Sequence, residues 1–448
     1  MKLANKYTSW FQKYLPSPFS IAILLTFVAL VGSIIFSDKD LTDHFIAWQN
    51  GLWEPNLLVF AFQMMLMLVL GHVLALSNFF NSVMHVILKP INTNATAVAT
   101  VAFFTIFVSF FNWGLSLIFG AILARKVGEK FTTNNLPLNY PLVGAAGFSG
   151  LMTWHGGLSG SAPLKAAESG HLNTLTNSTS YPDAISLSET VFSSMNLVVF
   201  GLLLVAIPLM LYRKAKNSRS EVPELAIQDI KPSYNQEAKG AERIDQMWGL
   251  SKGIGMAMAA LALYIAVTSG GRALSFLTPN FINFCLLAGC FWLHKNFTTF
   301  LNAVDEAISG AAGILIQFPL YFGILAILQS GGLIDVLSNT FIAISNTTTL
   351  PLLTVMSAGI VNIFVPSGGG QWAIQGPILL NAATEVGVPL HKIIMAMAYG
   401  DELTNMLQPF WALPLLSITG LKAKELLPYT MYILLIGVII FITGLLIF

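Results

Sequence analysis

The longest uncharged stretches decide what this chain can fold into. Between Asp335 and Glu385 lie 49 residues, Val336 to Thr384, with no ionisable side chain, and between Lys89 and Arg125 lie another 35, Pro90 to Ala124. A helix crossing the roughly 30 Å hydrocarbon core of a bilayer needs about 20 residues. Each stretch is therefore too long for one crossing. Each is also interrupted near its middle by helix breakers, Asn112-Trp113-Gly114 in the first and Pro366-Ser367-Gly368-Gly369-Gly370 in the second. An arm such as Ala97 to Phe111 makes about 22 Å of helix at 1.5 Å per residue, short of a full crossing. Short apolar arms around a Gly, Pro or Asn tip predict re-entrant helical hairpins at about 97–127 and 350–383, in preference to pairs of ordinary short spans. Non-helical backbone at that depth requires protein or a watery cavity around it.

Ordinary uncharged tracts follow Lys13 (Pro18 to Phe36), Glu54, Glu189, Lys252, Arg272, Glu306 and Glu425. Charged residues make up 10% of the 448, against about a quarter in a soluble chain, and the mean hydropathy is +0.71. A soluble multidomain enzyme is excluded, and so is a disordered chain. The net charge of +1 offers no electrostatic footprint for nucleic acid. Cys285 and Cys290 sit in an apolar stretch and suggest neither a disulfide framework nor a metal cluster. Lys2, Lys6 and Lys13 precede the first apolar run as in a signal peptide, but that run is too long and no small-residue cleavage site follows it. It reads as a retained span. The fold class is an all-α polytopic membrane protein.

The two interrupted tracts belong to a larger pattern. Asn112 and Asn362, Pro137 and Pro389, and Pro163 and Pro414 are pairs of similar position at a nearly constant spacing of about 250 residues, which argues for two homologous halves, a common transporter plan. The halves are 1–212 and 248–448. Between them, Arg213 to Met247 carries seven basic and six acidic residues and reads as a solvated cytoplasmic linker, 213–247. Lys and Arg in short loops mark the cytoplasmic side. Lys2, Lys6 and Lys13 place the N-terminus inside, Lys89 with Arg125, Lys126 and Lys130 bring the first hairpin in from the cytoplasm, and the second, with no basic residue nearby, enters from outside. Lys422 and Lys424 then lie inside and the C-terminus outside. The repeats are predicted to be inverted.

After each hairpin comes a second interrupted segment, at about 138–163 and 389–416. The first breaks at His155-Gly156-Gly157, the second around Gly400-Asp401-Glu402 and Gln408-Pro409. Broken helices near the midplane offer positive half-helix N-termini to an anion and unwound carbonyls to a coupling cation. The side chains at the four breaks are mostly neutral hydrogen-bonders: Asn112 and Ser116, Ser159 and Ser161, Asn362, Ser367, Gln371 and Gln375, then Thr404, Asn405 and Gln408. Trp113, Trp154, Phe364, Trp372 and Trp411 lie beside them and could wall a pocket for a short alkyl chain. Gly368 and Gly369 allow close backbone approach. An intramembrane carboxylate is a functional candidate by default; Asp401 is preferred over Glu402 because Gly400 is expected to place it at the break. Asp401, with Gly114 and Gly370, is the candidate for the coupling ion. His155 is a proton carrier, a donor to a carboxylate or a hydrogen-bonded structural residue. No Arg or Lys occurs in any break, which suits one carboxylate with a small apolar tail better than a dicarboxylate.

NIFVPSGGGQWAIQGP (Asn362 to Pro377) and GDELTNMLQPFWALPLL (Gly400 to Leu416), with NWGLSLIFGAILAR and HGGLSGSAPL in the first half, resemble the bacterial short-chain fatty acid transporter family within the ion transporter superfamily. The likeness extends through nearly the whole chain. It implies a secondary active, ion-coupled symporter for acetoacetate, butyrate and similar monocarboxylates in the inner (cytoplasmic) membrane. It further implies a homodimer, with elevator-type movement of the hairpins and broken segments against a scaffold of ordinary spans. The coupling ion it implies is sodium or a proton, with no other cofactor. Against a membrane-embedded enzyme, no HExxH or GxSxG-type motif is present; against ATP drive, no P-loop. A transporter for another small carboxylate or an amino-acid-like anion is an alternative, and so is a channel, distinguished by passive, non-saturating flux.

Overall fold

The computed structural model describes residues 18–176, 178–218, 220–223, 225, 240–268, 276, 279–333, 336, 340, 343–364, 366 and 368–448. Lys2, Lys6, Lys13 and Arg219, which carry part of the orientation argument, lie outside the described residues, as do Ser367 and linker residues 226–239. Among the described residues the regular structure is helical, with one isolated bridge between Leu138 and Glu221 and no strand.

In chain order the first helices are α1 (Pro18–Phe36), α2 (Leu41–Leu52), α3 (Pro55–Ala75), α4 (Asn78–Leu88), α5 (Asn94–Ser109), α6 (Trp113–Thr133) and α7 (Tyr140–Phe148). Then come α8 (Ser161–Ala166), α9 (His171–Thr176), α10 (Ser194–Lys216), α11 (Trp248–Thr268), α12 (Pro279–Leu293) and α13 (Phe297–Ile308). The last are α14 (Ala312–Ser330), α15 (Thr349–Phe364), α16 (Gly368–Val386), α17 (Leu390–Asn405), α18 (Pro409–Thr419) and α19 (Ala423–Ile447).

α10, α11, α19 and most of α3 are long and apolar enough to cross a bilayer, and α13 with α14 forms a bent pair at 40°. Their outer faces are greasy. Leu24, Phe27, Val28, Val31 and Ile35 on α1, and Leu197, Leu202 and Val205 on α10, are exposed, an apolar surface that lipid covers. Local chemistry sets the starts: Ser193 accepts the Asn196 N–H at 3.2 Å to cap α10, and Glu425 accepts the Lys422 N–H at 2.8 Å at the head of α19, each satisfying an otherwise orphaned donor. α10 runs to Lys216, so the linker's first four residues are helical.

Two groups of helices result. α14 packs on α1 and α2, while α3 packs on α12 and α12 on α11. α10 packs on α5 and α19, and α19 on α7 and α17. Three of the ordinary spans, α10, α19 and α3, lie directly on the interrupted elements, α3 through its packing on α6. The acidic stretch after Asp38 contains α2. Gly51 lets it press onto α14, where a Cβ would stand 2.7 Å from the Phe322 carbonyl oxygen.

Interruptions in the helices fall at 110–112, 149–160, 366 and 406–408. Asn112 alone stops the first hairpin: its Oδ1 caps α6 through the Leu115 N–H at 2.8 Å, and Trp113 and Gly114 already belong to the new helix. The first broken segment tightens to a 3₁₀ turn (Ser149–Met152) and unwinds until α8 begins at Ser161. In the second, the helix runs straight through Gly400 and ends only at Asn405. A single glycine costs a helix about 1 kcal/mol, too little to break one held by packing. Gly400 instead lets α17 lie against α15, where a Cβ would fall 2.4 Å from the Val355 carbonyl oxygen. Asp401 therefore sits inside a helix, not at a break. The hairpin arms begin at Asn94 and Thr349, and at Trp113 and Gly368, both pairs 255 residues apart. Asn112 opens the second arm of its hairpin whereas Asn362 lies in the first arm of the other, so those two asparagines are not equivalent.

Candidate functional site

All four breaks meet. The first hairpin's tip is fastened to the first broken segment by Leu158 N–H to the Phe110 carbonyl at 2.7 Å and by Trp113 N–H to Ser159 Oγ at 3.0 Å. The second hairpin's tip abuts the same loop: a Cβ on Gly368 would lie 2.8 Å from His155 Cε1 and 3.2 Å from Ser161 Oγ. The second broken segment closes the ring, with Gln408 Nε2 donating to the Asn362 carbonyl at 2.7 Å. Indoles line the junction. Trp113 meets Trp411 at 5.2 Å and Trp154 at 6.0 Å between ring centroids, and Trp154 stacks on His155 at 4.5 Å.

At the junction sits an ionisable trio. His155 is wholly buried, and Asp401 and Glu402 are each 1% exposed. The Ala162 N–H donates to His155 Nε2 at 3.0 Å. An amide nitrogen can only donate, so Nε2 carries no proton and the neutral ring bears its hydrogen on Nδ1. Nδ1–H then donates to Asp401 Oδ2 at 2.5 Å. Glu402 Oε1 accepts two backbone donors of the same loop, His155 N–H at 2.6 Å and Gly156 N–H at 3.0 Å. Neighbouring residues of one helix point about 100° apart, and both reach the loop because it wraps around α17. The loop itself is anchored from α10: Asn196 Nδ2 donates to the Gly156 carbonyl at 2.7 Å and its Oδ1 accepts from Tyr399 at 3.0 Å.

Beside the trio lies an amide cluster. Asn362 Nδ2 faces the Asp401 carbonyl at 2.8 Å, Thr404 Oγ1 at 2.9 Å and Asn405 Oδ1 at 2.9 Å. Gln371 Nε2 donates to the Ala358 carbonyl and to Gln375 Oε1, both at 2.8 Å. The buried Asn362 Oδ1, Gln371 Oε1, Gln375 Nε2 and Gln408 Oε1 have no partner among the described residues. A buried polar atom without a partner costs about 1–3 kcal/mol. Four in one place mark a polar centre that awaits ligands or water. On the other side of the second tip, a narrow apolar cleft of about 10 Å³ is lined by Leu57, Phe318, Tyr321, Phe322 and Leu325 together with Pro366 and Gly370. Gly368 and Gly370 are about 200° apart around α16, so its first turn separates the polar centre from this apolar cleft.

Several candidates lie apart from this centre. Asn112 caps its own helix, and its Nδ2 faces Met67 Sδ at 3.7 Å. Ser116 donates to the Thr105 carbonyl at 2.7 Å inside the first hairpin. Gly114 is a packing position, where a Cβ would press on Met67 at 2.9 Å. Gly114, Gly370 and Asp401 consequently face three different surroundings. Among the described residues no group of three or more His, Cys, Asp or Glu is arranged to hold a metal ion. Glu402 is the residue the sequence argument passed over; the signal was its place beside Asp401 in an apolar helix with no basic residue within a turn. Asn196 and Tyr399 carried no signal, since polar residues one or two turns into apolar helices are ordinary.

An all-helical chain with greasy outer faces and polar interruptions gathered inside is built as a membrane transporter. Over 96% of its length it shares the fold of the Alcanivorax borkumensis YdaH transporter, at a TM-score of 0.51 and 17% identity, covering 98% of that chain. Residues 1–448 match the family model described as short chain fatty acid transporter. The chain is 34% identical over 457 residues to the "Putative short-chain fatty acid transporter" of Escherichia coli (strain K12), covering 100% of this chain and 99% of the relative. It is 35% identical over 452 residues to the protein of the same description from Haemophilus influenzae, covering 99% of each. The chain belongs to the short-chain fatty acid transporter family.

Proposed function

We propose that this protein is an ion-coupled secondary transporter for short-chain fatty acids and related small monocarboxylates such as acetoacetate or butyrate. The observation that carries the reading is the convergence of four helix breaks on one centre with polar atoms left unpaired on one side and a narrow apolar cleft on the other. One carboxylate rests beside Ser161 and the first turn of α16, where the helix dipole favours an anion. The short tail lies toward Phe318 and Phe322, where the narrow apolar cleft must widen to admit it. No Lys or Arg hydrogen-bonds the trio or the amide cluster among the described residues, so a second carboxylate on the ligand would go unmatched.

The same reading makes the two halves inverted repeats in an inner membrane, with the N-terminus cytoplasmic and the C-terminus periplasmic. The hairpins and broken segments move together against the α1, α2, α3, α12 and α14 side of a homodimer, in elevator fashion. Counterflow in proteoliposomes tests it. Vesicles preloaded with unlabelled acid take up labelled two- to six-carbon monocarboxylates and discriminate against dicarboxylates. Ser161→Ala weakens apparent affinity about tenfold, the worth of one hydrogen bond to a charged group. Equal exchange of dicarboxylates, or undiminished affinity in Ser161→Ala, counts against the site.

A further inference from the structure

We infer that the coupling ion is a proton, held by the buried unit of Asp401, His155 and Glu402; the inference rests on the transport reading above. Two carboxylates stand side by side at 1% exposure, and the tautomer fixed by Ala162 leaves the imidazole between them uncharged. Two unpaired anions in a dry interior are too costly to persist. Their charge is relieved either by a metal cation or by a proton. A sodium ion needs a cage of oxygen acceptors. What faces these carboxylates is the reverse: the His155 Nδ1–H on Asp401, and the His155 and Gly156 N–H groups on Glu402. Those three bonds take up lone pairs that a sodium ion would need, and a single proton on one of the remaining carboxylate oxygens removes a full charge.

No fixed cation competes for the role. Against this stretch of α17 pack α15, α16, α8, α19 and the 3₁₀ turn Ser149–Met152. α15 and the 3₁₀ turn contain no ionisable side chain. Lys165 of α8 pairs with Glu168, Glu425 of α19 accepts from Lys422, Tyr429 meets Asn139, and Tyr432 meets Lys214. Glu385 of α16 and Lys424 of α19 are exposed, and Tyr399 on α17 itself points to Asn196.

Coupling follows from electrostatics. Ser161 and Gly368 lie against His155, so an anion bound there would add a third negative charge to the same dry volume. Substrate therefore binds when the unit carries its proton, and leaves when a carboxylate gives that proton back to water. By linkage, the proton raises affinity for the acid as much as the acid raises affinity for the proton.

The test uses proteoliposomes of the full chain and labelled acetoacetate, a stronger acid than butyrate and so less permeant in its neutral form, with protein-free vesicles subtracted. In sodium-free buffer, one unit of inside-alkaline pH gradient drives accumulation approaching tenfold, the limit for one proton per anion. Glu402→Gln, which keeps the acceptor for both N–H donors, accumulates less than twofold. It still exchanges labelled for unlabelled acid, and this exchange no longer falls as pH rises. Glu402→Asp, which restores a titratable carboxyl, recovers most of the accumulation. Accumulation driven by a sodium gradient and not by pH overturns the proton, as does full accumulation by Glu402→Gln. If Glu402→Gln is not monodisperse in detergent, the wild-type ion comparison and Glu402→Asp decide. Wild-type vesicles that exchange no monocarboxylate count against the transport reading; exchange without pH drive counts only against the proton.

Discussion

Asp401→Asn lowers concentrative uptake of labelled acetoacetate on the order of a hundredfold while the protein still folds. The asparagine oxygen can accept the His155 Nδ1–H as Asp401 Oδ2 does at 2.5 Å, so the loop keeps its anchor. What is lost is the charge. A hydrogen bond to an ionised group is worth about 1.5–3 kcal/mol, which at about 1.4 kcal/mol per factor of ten spans roughly ten- to a hundredfold. A site that no longer exchanges a proton sits at the upper end. The measurement is initial uptake at matched protein amount, with monodispersity in detergent as the folding control. Uptake within about threefold of wild type would remove Asp401 from the mechanism.

Gly160→Ala is the substitution with the largest structural penalty. Gly160 has φ −66°, open to any residue, so backbone conformation is not its reason. Space is. A Cβ there would stand 1.9 Å from the His155 carbonyl oxygen and 2.8 Å from its carbonyl carbon, and both are backbone atoms of the loop that carries the trio. Overpacking commonly costs about 1–3 kcal/mol, and this contact cannot be relieved by a side-chain rotation. The expected result is a loss of about 3 kcal/mol or more, read as a sharply lowered melting temperature or absence of monodisperse protein, with transport lost alongside. Gly201→Ala is the matched comparison. Gly201 lies within α10 with nothing within 4 Å of a new Cβ, and alanine favours a helix over glycine by about 1 kcal/mol, so its melting temperature does not fall. Equal tolerance of both substitutions would show that the loop is not packed as described.

Much of this was legible in the residues themselves. Lipid punishes charge and unpaired backbone alike, so uncharged tracts and their polar interruptions stand out against an apolar background. Such interruptions lie at 110–112, 149–160 and 406–408 among the described residues. Gly400 shows the limit. A glycine has two uses in an apolar chain, bending it or letting another helix touch it, and only the tertiary neighbour decides between them. Here the neighbour is α15, and the break moved on to Met406–Gln408, ahead of Pro409. Gly51 and Gly323 serve the second use, seating α2 on α14. Asn112 and Ser116 looked like ligand contacts because polar side chains at a tip are rare, yet one caps α6 and the other ties its hairpin together. Side chains that serve their own backbone and side chains that serve a ligand are chemically alike in sequence.

The account stands on the second hairpin's tip meeting the loop of the first half across one shared site. Engineered cysteines test that contact directly. A Cβ on Gly369 would lie 3.9 Å from Ser161 Cβ, inside the roughly 3.5–4.5 Å that a disulfide requires. In a background with Cys285→Ser and Cys290→Ser, the double variant Ser161→Cys with Gly369→Cys is predicted to cross-link on mild oxidation, to lose acid counterflow as it does so, and to regain it on reduction. Folded protein that forms no bond, or a complete bond that leaves counterflow untouched, would contradict it.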